Sequence, residues 1–181
     1  MISMIGILEL NYLVGLGTVL LQVGALVLLL AYLFPKNPLA EFIGNLAGRY
    51  GILLGFVFSL FGLVMSLVYS EYFGVEPCGL CWLSRVFMYP QALLFGIALF
   101  IRDTKIALYS IWLSAFGAAI SLYHHYLQMG GHSVLPCPAS GAADCAKRFI
   151  FEFGYITFPL VGFSVFAFLI VLMLFVMKRA R

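Results

Sequence analysis

Five apolar stretches, at about residues 12–34, 50–70, 83–101, 106–127 and 156–177, are each long enough to cross roughly 30 Å of hydrocarbon as a helix rising about 1.5 Å per residue. Of the 181 residues, 64% are hydrophobic and 9% charged, whereas a soluble domain carries about 25% charged residues. Water would leave much of that apolar surface exposed, and lipid covers it. The expected fold class is an all-α polytopic membrane protein: a four-helix transmembrane bundle with an additional N-terminal transmembrane helix. Residues 1–45 form that helix and a cytoplasmic linker, and residues 46–181 the four-helix unit. A net charge of +3, with no basic run or stacking motif, speaks against nucleic acid as a partner. The first eleven residues contain no Lys or Arg, so no cleavable signal peptide is expected.

Pro35-Lys36-Asn37-Pro38 stops the first helix, and Arg102-Asp103-Thr104-Lys105 is short enough to force spans three and four into an antiparallel hairpin. The longest connection, about residues 128–155, is rich in Gly, Pro and Ser. An N-out, C-in orientation places Lys36, Arg49, Arg102, Lys105, Lys178, Arg179 and Arg181 inside, and only Arg85, Lys147 and Arg148 outside. The positive-inside rule favours that arrangement over its inverse. All four cysteines then lie on the outer face, and for a bacterial inner membrane that is the oxidising compartment.

Cys78-Gly79-Leu80-Cys81 falls where the third span begins. Helix-terminal N–H groups and the macrodipole favour a thiolate there, the species that attacks or leaves in disulfide exchange. The nearby Glu76 works against it. Arg85 lies one turn deeper on the same face. A mid-bilayer arginine costs roughly 2.5–3.5 kcal/mol by insertion scales and less near the interface, which points to a role. Cys137 and Cys145 form a second pair in a loop of small residues that can close on itself or reach a partner. A structural staple is the plain alternative for that pair. Zinc is another, although a C-x7-C spacing is too wide for a zinc knuckle, and no metal is expected.

Pro77-Cys78-Gly79-Leu80-Cys81-Trp82, Arg85 and Phe87-Met88-Tyr89-Pro90 resemble the DsbB family of membrane thiol oxidases, and specifically its shorter BdbC-like branch. Tyr123-His124-His125-Tyr126-Leu127-Gln128, the C-x7-C loop and Gly154-Tyr155-Ile156-Thr157-Phe158-Pro159 extend the resemblance over about residues 50–177. It implies a bundle that passes electrons from the dithiol of an extracytoplasmic thioredoxin-like, DsbA-type protein to a membrane quinone, ubiquinone or menaquinone. It implies that Cys137 forms the mixed disulfide with that partner and that Cys145 resolves it or pairs with Cys78. Cys81 would face the quinone ring as a thiolate–quinone complex, and Arg85 would stabilise the thiolate or the reduced quinone oxygen. Vitamin K epoxide reductase relatives carry their quinone-side C-x-x-C after the loop pair, the reverse of the order here.

His124 and His125 are either polar ends of the fourth span or a quinone hydrogen-bond donor and proton relay, and His132 is a solvated loop residue. Trp82, Tyr89, Tyr123 and Tyr126 belong to an interfacial belt or line a quinone slot. Gly51 and Gly55 suit close helix packing, and Gln22 a hydrogen bond to a neighbouring helix. Residues 149–153 are expected along the membrane surface. Two other functions stay open: a conduit running in the reductive direction, and a non-enzymatic scaffold or transporter with stapled loops. The first span carries no cysteine and no part of the resemblance, so it is expected to be dispensable for chemistry. From the charge asymmetry, a membrane-impermeant alkylating reagent applied outside should label all four cysteines after reduction and none before; labelling of Cys78 only from the cytoplasm would overturn the orientation.

Overall fold

In hydrocarbon, a chain satisfies its backbone N–H and C=O groups within its own helix or within a closed barrel, so long apolar runs become helices. The computed structural model describes residues 2–132 and 145–180, with side chains from residue 6 onward. The chain folds into α1 (Ile2–Leu33), α2 (Pro38–Leu67), α3 (Gly79–Ile101), α4 (Ile106–Gln128) and α5 (Phe158–Ala180). Among the described residues, these five helices are long and apolar enough to cross a membrane, as the sequence leads one to expect.

Helix ends differ from expectation where local chemistry overrides hydropathy. α2 starts at Pro38, well before Tyr50, because Asn37 caps it and accepts from the Leu39 N–H at 3.0 Å, with proline in the first turn. The connection between the first two spans is therefore a tight turn. α2 runs on past Leu67 into a π-helical turn, Val68–Tyr72. Arg102, left-handed at φ 57°, closes α3, and the Asp103 Oδ1 accepts from the Lys105 N–H at 2.8 Å to form the expected hairpin with α4. Two short antiparallel strands, β1 (Phe151–Glu152) and β2 (Ile156–Thr157), precede α5. Within the segment 149–153, Phe151 and Glu152 form β1, and Ile150 just before it is fully buried.

α5 is the central helix. It packs against α4, α2 and α1, and its Phe166, Leu169, Leu172 and Met173 are fully buried. Glycines on its neighbours permit the approach: Gly51 lies against Val176, and Gly117 of α4 against the Phe166 ring. Gly55 accommodates the Phe95 ring of α3, where a β-carbon would come within 2.9 Å. Polar pairs tie the helices together at modest individual strength, on average about 0.6 kcal/mol in a membrane. Ser110 donates to the Gln91 Oε1 at 2.6 Å between α4 and α3. Gln22 of α1 donates to the Ser164 Oγ of α5 at 2.9 Å, the interhelical bond expected of it.

Gly117→Val should destabilise the protein by about 1–3 kcal/mol, since the added carbon overlaps a fully buried ring. Gly6→Ala meets nothing within 4 Å and should leave the unfolding midpoint unchanged or slightly raised. Thermal unfolding of both variants in detergent checks the pair.

Candidate functional site

The chain runs extended through Cys78 (φ −71°, ψ 171°), which makes that residue the N-cap of α3. Its carbonyl accepts from the Trp82 N–H at 3.0 Å. Cys81 follows in the first turn, where backbone N–H groups lack helical partners and the dipole is positive. The sulfurs of these free cysteines lie 3.2 Å apart, within hydrogen-bond reach.

α4 brings a histidine to this pair. His124, 2% exposed, holds its Nε2 at 3.6 Å from the Cys78 Sγ and 3.0 Å from the Cys145 carbonyl oxygen. Cys145 is disulfide-bonded and buried in one apolar cluster with Cys78, Leu80 and Leu127. Cys137, the other loop cysteine singled out from the sequence, lies outside the described residues. The Cys78 thiol is pushed down to about 4, chiefly by hydrogen bonding with Cys81 and further by the hydrogen bond and charge of His124, against the upward pull of burial. Glu76 is exposed and does not reverse that shift.

Arg85 is 9% exposed and anchored to α2: its Nε donates to the Ser66 Oγ at 2.9 Å and its Nη2 to the Ser66 carbonyl at 3.1 Å. The Trp82 and Tyr89 ring centroids lie 5.1 Å and 6.0 Å from its guanidinium carbon. These contacts hold the charge within an apolar bundle.

Two cavities meet at this cluster. A cleft of about 20 Å³ on the loop side is lined in part by Glu76, Cys78 and Gln128. A much larger cavity of about 440 Å³ extends among the helices, with residues of α1, α2, α3, α4 and α5 in its walls. Cys81, Arg85 and His124 line both, whereas Cys78 lines only the cleft. The buried Tyr89 hydroxyl, on a residue lining the larger cavity, has no hydrogen-bond partner among the described residues. The buried Gln128 Oε1, at the cleft, is in the same position.

The structure thus brings together Cys78, Cys81, Arg85, His124 and Cys145. It does not bring in His125, which bonds to the Thr157 Oγ1 of β2 at 2.8 Å and lines neither cavity. Ser66 and Tyr69 escaped the sequence reading; a serine in an apolar span is only a weak signal, and tyrosines near span ends are common. Cys78, Cys81 and His124 also place three metal-type donor atoms within 4.8 Å of one another. The 3.2 Å sulfur separation is shorter than the roughly 3.8 Å that two thiolates take around tetrahedral zinc.

Residues 48–177 match the family model for disulfide bond formation protein DsbB. The probable disulfide formation protein C of Halalkalibacterium halodurans is 36% identical over 121 residues, covering 67% of this chain and 88% of the relative. That of Bacillus cereus is 38% identical over 122 residues, with 66% and 88% covered. The disulfide bond formation protein C of Bacillus subtilis is 37% identical over 119 residues, with 65% and 85% covered. No solved structure gives a significant match. A matched region that runs from within α2 to near the end of α5, and that contains the C-x-x-C, the buried arginine and Cys145, places this chain in the DsbB family of disulfide bond formation proteins, on its disulfide formation protein C branch.

Proposed function

We propose that this protein is a quinone-dependent thiol:disulfide oxidoreductase that reoxidises an extracytoplasmic, DsbA-type thioredoxin-like partner, with N-out, C-in orientation in a bacterial cytoplasmic membrane. The observation that carries this reading is the position of Cys81, on the boundary between a loop-side cleft and a cavity inside the helix bundle. A dithiol there is within reach of exchange with the loop cysteines on one side and of a lipid-soluble acceptor on the other.

The residues present fit a quinone. The cavity volume of about 440 Å³ falls within the range of about 300–1,000 Å³ common for small-molecule sites. The Tyr89 hydroxyl, without a partner among the described residues, and the Arg85 guanidinium are hydrogen-bonding groups suited to carbonyl oxygens. When bound, a quinone supplies the acceptor for two electrons and two protons.

In this reading, a thiolate of the reduced partner attacks Cys137 of a Cys137–Cys145 disulfide and Cys145 leaves as the thiolate. The partner's second thiol then displaces Cys137 from the mixed disulfide, so that the partner leaves oxidised and Cys137 and Cys145 are both thiols. Those thiols then reduce the Cys78–Cys81 disulfide by exchange, with no net change in electrons. Cys78 and Cys81 close their disulfide again by releasing two electrons and the proton left on the pair toward the cavity; the second proton that an acceptor needs is the one the Cys78 thiol had already lost. His124, touching both Cys78 and the Cys145 carbonyl, is placed to take up and return a proton as exchange proceeds. The lowered Cys78 thiol favours the reduced pair and so makes its disulfide the more oxidising partner, which favours the oxidase over the reductive conduit. Stopped-flow absorbance with purified protein, quinone and a reduced thioredoxin-like partner tests the function; partner oxidation that proceeds without any change in quinone absorbance would refute it.

Arg85→Gln should lower kcat/KM for quinone by about 10–100-fold, the range for a lost hydrogen bond from a charged group, while the mixed disulfide through Cys137 still forms. Arg85→Lys should be intermediate, because a point charge replaces the planar fork. Quinone absorbance and trapping of the mixed disulfide read the two half-reactions separately.

Because the Cys78 thiol sits at about 4, its alkylation in the reduced protein should be nearly independent of pH between about 6 and 8, and should fall only in the acid range. An ordinary thiol, with a pKa of about 8.5, would react steadily faster over that same interval. His124→Ala removes a group that lowers the value, so the inflection should move up in pH. Alkylation rates followed by mass spectrometry check both.

A further inference from the structure

We propose that α1 forms the wall of the acceptor cavity against which the hydrocarbon tail of a lipid-soluble quinone lies, an assignment that rests on the function proposed above and names where its substrate is held. Leu10, Leu13, Val14, Gly17, Thr18 and Leu21 all line the cavity. Their spacing of three and four residues puts them on one face of α1. That face runs along about 16 Å of helix at about 1.5 Å per residue.

α1 offers this cavity apolar surface and little else. The Thr18 hydroxyl is turned back onto its own helix, donating to the Val14 carbonyl at 2.7 Å. Asn11 is engaged elsewhere, accepting from the Tyr69 hydroxyl at 2.7 Å and donating to the Phe149 carbonyl at 3.1 Å. The polar groups of the cavity that suit a quinone ring, Arg85 and Tyr89, belong to α3. Ring and tail thus have separate walls.

α1 is also held in the register this role needs. Asn11 ties it to α2 through Tyr69, and Gln22 ties it to α5 through Ser164, so the two bonds bracket most of the lining face. As a whole, α1 packs more extensively on α5 than on α2. Gly17 lies midway, and a β-carbon there would meet nothing within 4 Å. Leu13 lines the cavity yet keeps 62% of its surface exposed, so the cavity opens beside α1 toward the surroundings of the bundle, where a membrane-dissolved molecule would arrive. The expectation from sequence that the first span is dispensable runs against this geometry.

The full-length protein in phospholipid vesicles provides the test. A long-tailed quinone bearing a photoreactive group on its tail should label the α1 segment containing residues 10–21, and unlabelled long-tailed quinone should compete. Filling the face by Gly17→Phe, or separately by Val14→Phe, should reduce that labelling about tenfold. Each should lower by about tenfold the ratio of kcat/KM for a long-tailed quinone to that for a tail-less one, the equivalent of about two methylene groups leaving the apolar wall. Leu20→Phe, at a position 66% exposed and outside the lining, should change neither readout. Labelling confined to other helices, labelling competed by added phospholipid but not by quinone, or an unchanged ratio in both filled variants would each overturn the assignment. Failure of the wild type to reduce any quinone would instead overturn the function on which it rests, and labelling of the wild-type chain needs no variant to fold.

Discussion

Close backbone approach to α5 is the constraint from which the rest of the bundle follows. Lipid tails are as apolar as leucine, so helices in a membrane gain little from burying apolar surface against each other and depend on tight packing and a few hydrogen bonds. Gly51 of α2 and Gly117 of α4 admit α5 side chains that any β-carbon would displace. With α5 seated between them, α4 delivers His124 to the start of α3, and β2 packs at that same end of the bundle. The cluster is thus assembled where α3 packs directly on α2 and α4, two helices that are themselves seated on α5.

The site exploits a change of environment within one helical turn. Cys78 caps α3 and faces the loop-side cleft, while Cys81 begins the helix and faces the bundle cavity as well. Two sulfurs 3.2 Å apart therefore lie between a loop-side cleft and a cavity inside the bundle. His124 and Arg85 divide the electrostatics. The histidine lies beside Cys78 and lowers its thiol, and the arginine is anchored to Ser66 one turn deeper. Neither would be tolerated at that depth without its partners, because an unsatisfied polar group in hydrocarbon costs several kcal/mol.

Much of this was legible from residue order. Apolar runs marked five helices because hydrocarbon thickness sets a minimum span length. The C-x-x-C at a span boundary, with arginine four residues on, placed Cys78, Cys81 and Arg85 on one helix end because helical spacing is a local property. Helix starts were less legible: an Asn-Pro cap moved the beginning of α2 to Pro38, a choice made by hydrogen bonding rather than hydropathy.

By itself, then, the sequence determined the number of spans, the hairpin of α3 and α4, and the meeting of thiol and arginine at one helix end, all consequences of local spacing and of transfer into lipid. Only the tertiary structure decided that α5 is central, that His124 faces the cysteines while His125 turns to Thr157, and that one face of α1 lines the cavity. Adjacent helical residues point about 100° apart, so His124 and His125 are equivalent until a neighbouring helix breaks the tie. The face of α1 is hidden for a more general reason: lipid-facing and protein-facing surfaces are both apolar, and the periodicity that marks a buried face in water carries no such contrast in a membrane.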